Sequence, residues 1–215
     1  AKKIGEFTGG RLPGSVFITE DNLLKLPSIE LWFKRGKQDV LLLSGDAQPN
    51  DDESCYELCE CILDVAKLCD CKEIITLGGI ALKHEPKDPR VFITGNSADF
   101  VQDYAKGTNG TTQMYGAVGP VIGVSGLLPC LAKNRHIDAV TLLAETYSHP
   151  LHLGLRGAQE ILKILKKKFS VSIDVDMMEK EISEIENEIN RQEINAHHKA
   201  KIMRMKHGHD VNYIG

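Results

Sequence analysis

The stretch VLLLSGDAQPNDDESCYELCECILDVAKLCDCKEIITLGG, residues 40–79, carries the pattern that decides the fold. It begins with a short, uncharged apolar run, Val40–Leu43, and it ends with a second one, Ile74–Leu77. Between the two runs, Asp51-Asp52 can cap a helix that extends to about Leu68, because apolar residues recur there at helical spacing. A strand, a helix and a second strand in this order predict a βαβ unit.

Three further apolar runs share this composition, and each ends in a loop that carries glycine, serine or threonine. Runs that are β-branched and almost uncharged indicate parallel strands that are buried on both faces. With helix patterns between the strands, the five runs together predict an α/β protein with a three-layer α/β/α sandwich. The three further runs are Val91–Asn96, Val121–Gly126 and Ala139–Thr146.

The regions on either side of these runs give simpler patterns. Near the start of the chain, Ser15–Thr19 and Ile29–Phe33 predict strands separated by turns. After the last run, a strongly amphipathic helix is predicted from about Leu155 to Phe169. We expect the buried face of this helix to consist of Ala158, Ile161, Leu162 and Leu165.

The C-terminal part of the chain has a different character, because no strand pattern occurs after Asp176. Apolar residues recur there at four-three-four spacing, which predicts the seam of a helix that packs on a partner. The partner could be this domain, another subunit, or both. We therefore predict a core domain over residues 1–172, a helical segment over 173–206 and a tail over 207–215. The seam residues are Met178, Ile182, Ile185 and Ile189.

The composition excludes several classes of partner. The formal net charge of −4 and the pI of about 6.1 give no basic surface for nucleic acid. No apolar stretch approaches the roughly 20 residues that cross a bilayer. We expect a cytoplasmic protein that binds neither nucleic acid nor membrane.

The six cysteines allow two interpretations, a zinc site or core packing. A Cys-x2-Cys pair, which structural zinc sites favour, does not occur in the sequence. Cys55, Cys59 and Cys69 fall where the first helix would face a core, and a free cysteine behaves there as a small hydrophobe. We predict core packing for these three residues and no bound metal.

The polar residues of the strand-end loops include candidate catalytic groups. Gly123–Leu127 resembles a nucleophile elbow, but Leu127 stands where the second glycine belongs, so we expect Ser125 to cap a helix instead. Neither a dinucleotide-binding motif nor a P-loop motif occurs, so no cofactor is predicted. Asp46, Glu145 and His149 remain as candidates for acid–base work.

Taken together, the strand-end motifs resemble those of archaeal proteins of the proteasome assembly chaperone 2 family. The resemblance spans roughly Lys2 to Glu188. It implies an α/β/α fold similar to nucleoside phosphorylases, and a protein that binds the proteasome core particle rather than an enzyme. Family members usually begin with a strand, a glycine-rich turn and a helix before the point where this chain starts. If those residues are missing, one strand and its covering helix are absent, and apolar surface is left to be covered. The motifs are Leu43–Pro49, Thr76–Gly79, Thr94–Asn96, Gly123–Leu128 and Glu145-Thr146.

The resemblance also implies a role for the C-terminal tail. Proteasome activators dock through a C-terminal motif of a hydrophobic residue, tyrosine and any residue, whereas here Tyr213 is third from the end and follows Asn212. A terminal carboxylate can pair with a lysine in a pocket between α-subunits while the tyrosine ring packs beside it. The predicted partner-binding residues are Val211, Asn212, Tyr213, Ile214 and Gly215.

These observations predict a non-enzymatic, chaperone-like or activator-like homo-oligomer that binds the archaeal 20S proteasome core or its α-subunits. Several tails on one oligomer would bind by avidity, since a single tail binds weakly. Two alternatives stay open. One is a nucleoside-phosphorylase-like or hydrolase enzyme that uses Asp46, Glu145 and His149, and the other is an oligomeric scaffold for a different partner.

Overall fold

Five strands precede the first helix, and strands and helices are interspersed after it. The computed structural model describes residues 1–8, 11–114, 116, 119–148, 154–169 and 178–188. In these residues the strands are β1 (Lys2–Phe7), β2 (Phe17–Ile18), β3 (Leu24–Lys25), β4 (Ile29–Lys34), β5 (Val40–Gly45), β6 (Glu73–Leu82), β7 (Val91–Gly95) and β8 (Asp138–Tyr147). The helices are α1 (Asp52–Leu68), α2 (Ala98–Ala105), α3 (Val124–Ala132), α4 (Leu155–Phe169) and α5 (residues 178–188).

The central sheet has the order β6-β8-β7, and helices pack against it. β6 and β8 are parallel over ten residue pairs, from Glu73–Asp138 to Leu82–Tyr147, as the sequence predicts. β7 is antiparallel to β8, so the prediction of a parallel strand was wrong there. Only residues 83–90 connect β6 to β7, and a parallel connection needs a crossover of roughly a dozen residues or more. The result is a mixed α/β sandwich.

A second sheet, with the order β1-β4-β5, is entirely antiparallel. The apolar run of β5 was predicted to be a parallel strand buried on both faces, and this prediction was wrong. The short link of residues 35–39 makes β4 and β5 a hairpin, which forces the antiparallel arrangement. Leu42 and Leu43 point to opposite faces of the sheet, yet they are 48% and 39% exposed.

The run Val121–Gly126 is not a strand, because α3 already begins at Val124. Gly123, with φ of +83°, is the N-cap residue, and a Cβ at this position would lie 2.5 Å from the Gln48 side chain. The predicted capping role of Ser125 was also wrong, since no side chain caps this helix. The positive φ of Gly123 thus allows a helix to begin within an apolar run that the sequence pattern predicts as a strand.

The backbone carbonyl of Ser125 fixes α3 on the central sheet. Pro129, four residues later, has no N–H to donate to this carbonyl, so the helical hydrogen bond is missing. The Thr76 and Thr141 hydroxyls of β6 and β8 lie 2.6 Å and 3.0 Å from the carbonyl oxygen and donate to it instead. The proline therefore frees an acceptor that joins helix to sheet.

Helix α1 has the bounds that the sequence predicts. The Asp51 carboxylate accepts a hydrogen bond of 2.9 Å from the Ser54 N–H and caps the helix. Cys55 and Cys59 are buried as predicted, and Cys59 lies in a cluster between α1 and α3. Cys69 was predicted to be buried but is exposed, because the helix ends at Leu68 and Cys69 is its C-cap.

Helix α4 also has its predicted bounds, but its buried face differs from the prediction. The buried residues are Gly157, Gln159, Ile161 and Ile164, whereas Ala158 is exposed and Leu162 and Leu165 are only partly buried. Gly157 determines this orientation, since a Cβ there would lie 2.9 Å from the Glu145 backbone oxygen of β8. The close backbone contact at Gly157, rather than the hydrophobic pattern, determines which face of α4 is buried.

Candidate partner-binding site

Helix α5 carries three of the four seam residues, and the structure separates their roles. Ile182 is 4% exposed, so this chain itself covers it. Ile185 is 38% exposed, and Met178 is partly buried. Ile189 lies outside the described residues. The seam therefore packs partly on its own domain and leaves one isoleucine exposed.

Polar contacts attach α5 to α4. The Arg156 guanidinium lies 2.7 Å from the Glu186 carboxylate and 3.4 Å from that of Glu179. The Gln159 amide donates a hydrogen bond of 2.7 Å to Glu179, and this bond, with the charge of Arg156, lowers the pKa of the Glu179 carboxyl. These contacts hold Glu179 and Glu186 against α4 and attach α5 to it.

Asp46, a candidate acid from the sequence, holds a turn together. Its carboxylate accepts hydrogen bonds from the Ser28 N–H at 3.0 Å and the Ser28 hydroxyl at 3.2 Å, and it lies 3.4 Å from the Lys25 ammonium. The backbone hydrogen bond from Ser28 is the main cause that lowers the pKa of Asp46. A carboxylate with these partners stays ionised and cannot donate a proton at neutral pH.

Glu145, the second candidate, is 6% exposed, and in the described part of the chain Arg90 binds its carboxylate. One carboxylate oxygen accepts a hydrogen bond of 2.9 Å from the Arg90 backbone N–H, and the other lies 3.0 Å from Arg90 Nε. The side-chain hydrogen bond from Arg90 lowers the pKa of Glu145. The guanidinium also lies 5.2 Å from the centre of the Phe92 ring. This pair attaches the loop before β7 to β8.

The enzyme candidates do not form one catalytic constellation in the described part of the chain. Asp46 binds Ser28 and Lys25, whereas Glu145 binds Arg90, and the two carboxylates share no hydrogen-bond partner in these contacts. His149 lies outside the described residues. Among those residues, no three histidine, cysteine, aspartate or glutamate side chains converge as a metal site requires.

A cleft of about 520 Å³ lies between residues 87–91 and α4, beside α5. Most of its charged side chains already have partners within the chain. Arg90 pairs with Glu145, Arg156 pairs with two glutamates of α5, and Lys163 pairs with Glu160 at 2.5 Å. The cleft therefore offers polar walls but few cations that are free to bind an anion.

Sequence reasoning did not find the contacts of α5 with α4. A usable signal was present, because Glu179 and Glu186 are seven residues apart and so lie on one helix face. Arg156 and Gln159, three residues apart, also share a face. Nothing in the sequence pattern paired these two faces, since the interaction joins elements that are distant along the chain.

The partner-binding residues predicted in the C-terminal tail lie outside the described part of the chain. They are Val211, Asn212, Tyr213, Ile214 and Gly215. Their role stays a prediction. No described helix combines the length and the apolar composition that a membrane crossing requires.

Comparison with known proteins gives one family match and several related folds. A family model described as the PAC2 family matches residues 1–193. A curated relative, the uncharacterized protein MJ0106 of Methanocaldococcus jannaschii, is 29% identical over 118 residues. The match covers 55% of this chain and 45% of the relative, so the chain spans about half of that protein's length.

Solved structures resemble this one over most of its length. PbaB of Pyrococcus furiosus, described as an archaeal proteasome activator, gives a TM-score of 0.75 at 24% identity, over 89% of this chain and 82% of PbaB. PbaA of the same organism, described as an archaeal homologue of proteasome-assembly chaperone, gives 0.69 at 19% identity, over 94% and 79%. The proteasome-assembly chaperone homologue Rv2125 of Mycobacterium tuberculosis gives 0.64 at 17%, over 88% and 82%. At these identities the similarity establishes a shared fold.

Proposed function

This chain belongs to the PAC2 family, and from that premise we propose that it assists the assembly or the activation of the archaeal 20S proteasome by binding the core particle or its α-subunits. The match to the family model over residues 1–193 is the observation that carries the proposal. The fold shared with PbaB and PbaA supports it, because those proteins are described as a proteasome activator and a chaperone homologue.

In this proposal the protein acts by binding and not by catalysis. Two of the three sequence candidates for an enzyme site, Asp46 and Glu145, are occupied by contacts within the chain. Their lowered pKa values keep them ionised, so neither is a proton donor at neutral pH. These contacts give both carboxylates a structural role.

We assign a separate role to each of three segments of the chain. Residues 1–172 are the core and residues 173–206 the helical segment, while residues 207–215 supply the contact with α-subunits. The ion pairs of Arg156 support this division, because they hold the start of the helical segment in one direction. Self-association of the core multiplies the tails, and avidity then strengthens a weak single contact.

A pull-down on immobilised archaeal α-subunit rings tests the proposal. We expect the intact protein to be retained, and both Tyr213→Ala and a truncation of residues 207–215 to reduce retention strongly, because the ring and the terminal carboxylate are lost. Tyr56→Ala is the matched control, since Tyr56 is a tyrosine of α1 that is 52% exposed. It should bind like the intact protein.

The possible outcomes separate the parts of the proposal. Equal retention of all four proteins would contradict the role of the tail while leaving a proteasome partner in place. If the intact protein is not retained at all, the proteasome function itself is contradicted and the scaffold alternative gains support.

A further inference from the structure

The hairpin formed by β2 and β3 is a separate two-stranded sheet with a well-defined turn. The Thr19 N–H donates to the Leu23 carbonyl at 2.9 Å, and the Asn22 N–H donates to the Thr19 carbonyl at 2.9 Å. Asn22 has φ of +59°, which asparagine tolerates better than most residues. The hairpin is therefore a defined element rather than a loose loop.

The two faces of this hairpin differ in chemistry. Cross-strand partners lie on the same face, and Phe17 pairs with Lys25 whereas Ile18 pairs with Leu24. The Lys25 ammonium lies 3.4 Å from the Asp46 carboxylate, so the Phe17–Lys25 face is tied to the rest of the domain. The opposite face has no such attachment in the contacts of the described residues.

That opposite face, which we name the aliphatic face, consists of large apolar side chains. The paired strands end at Phe17 and Lys25. Val16 and Leu26 come next along the chain, each two residues from Ile18 or Leu24, and an extended continuation of the strands places them on the same side. These four side chains are 48%, 73%, 73% and 74% exposed, in the order Val16, Leu26, Ile18 and Leu24. No charged side chain belongs to the four.

Such a surface is unfavourable in water. An isolated two-stranded hairpin is marginally stable at best, and it needs packing against another element. The four side chains expose on the order of 500 Å² of apolar surface, which is near the upper end of the largest patch on a typical monomer. Single exposed residues such as Leu68 or Ile122 need no such explanation.

We propose that the aliphatic face of the β2–β3 hairpin packs against a second copy of this chain. An uncharged aliphatic surface complements itself, and a second copy brings the same surface. Its area is more than half of the roughly 800 Å² that each partner contributes to a stable interface of standard size. The inference extends the homo-oligomer of the proposed function by naming the surface that assembles it.

The double variant Ile18→Thr, Leu24→Thr tests this interface, since threonine keeps a high strand propensity and removes apolar surface. The control is Leu23→Thr, Leu68→Thr, which alters two exposed leucines outside the aliphatic face. Light scattering after size-exclusion chromatography, over a dilution series, gives the mass of each protein. We expect the intact protein and the control to have the mass of two or more 23.8 kDa subunits. In the test variant, the concentration for half-dissociation should rise roughly 100-fold or more.

An intact protein that is monomeric at about 100 μM, or a test variant that associates like the control, overturns the proposal. If the test variant does not fold, hydrogen exchange of the intact protein decides the question. Amides of residues 16–26 should then exchange several-fold more slowly at high than at low protein concentration, and equal exchange contradicts the interface. These measurements need no proteasome. A protein that oligomerises but does not bind α-subunit rings would therefore contradict the proposed function and leave the interface proposal standing.

Discussion

At the scale of single residues, polar groups beside the sheet that resemble catalytic groups in the sequence have structural partners. Glu145 has the burial and the position of an active-site acid, yet Arg90 supplies hydrogen bonds to both carboxylate oxygens. The carbonyl of Ser125 accepts from two threonine hydroxyls because Pro129 cannot donate to it. These groups bind structural partners, and they hold loops and a helix against the strands.

Replacement of both Thr76 and Thr141 by valine should leave the Ser125 carbonyl without a donor. We expect this change to lower the free energy of unfolding by roughly 1–3 kcal/mol, the cost of an unsatisfied buried acceptor. Pro129→Ala in the same background restores an N–H to the carbonyl and should recover part of the loss. Urea denaturation of the two variants, and of Pro129→Ala alone, measures the effect.

We compare the stability change that Pro129→Ala causes in the double valine variant with the change that it causes in the unaltered protein. If the first is no larger than the second, this account is refuted. The comparison forms a double-mutant cycle, which isolates the coupling between the proline and the two hydroxyls.

At the scale of elements, the attachment of α5 is mainly polar. Ile182 is buried, while Arg156 and Gln159 of α4 bind Glu179 and Glu186 of α5. Ion pairs at a partly exposed site are weakened by salt and by loss of either partner. We therefore expect α5 to separate from α4 at a lower free-energy cost than the core helices.

Arg156→Met should increase amide exchange in residues 178–188 several-fold, since methionine keeps much of the side-chain bulk but not the charge. Arg135→Met is the matched control, because Arg135 also pairs with two carboxylates of a neighbouring helix, Glu60 and Asp64 of α1. Hydrogen exchange followed by mass spectrometry checks both variants. Equal exchange in residues 178–188 of both variants would contradict the role given to Arg156.

The elements also show what the sequence could and could not predict. Local signals were sufficient for α1 and α4, where a capping aspartate and an amphipathic pattern gave the bounds. Strand direction depended on connection length, which was too short before β5 and β7 for a parallel arrangement. The rotation of α4 depended on the close approach of Gly157 to β8, and a hydrophobic pattern carries no information on such a contact.

The candidate site was harder to predict than the fold for a physical reason. The seam spacing predicted a helix in this region, but the partners of Glu179 and Glu186 lie on α4, twenty to thirty residues earlier in the chain. The hairpin strand Ser15–Thr19 was predicted, yet its exposure was not, because exposure depends on which elements cover it. Whether Tyr213 binds a partner stays a prediction.

At the scale of the whole molecule, the proposed function needs three properties together. The core must self-associate, the helical segment must direct the tails outward, and the tails must meet proteasome α-subunits. We propose the aliphatic face of the hairpin for the first property and the contacts of Arg156 with α5 for the second. Avidity predicts that loss of either surface weakens proteasome binding without a change in the tail itself.

Sedimentation velocity with archaeal 20S core particles tests the central claim most directly. Fluorescently labelled intact protein should move with the fast boundary of the core particle. The protein that lacks residues 207–215 should sediment at its own, slower rate. If the intact protein also remains in the slow boundary at concentrations of about 100 μM, well above those at which weak multivalent contacts saturate, the claim that this chain binds the proteasome is contradicted.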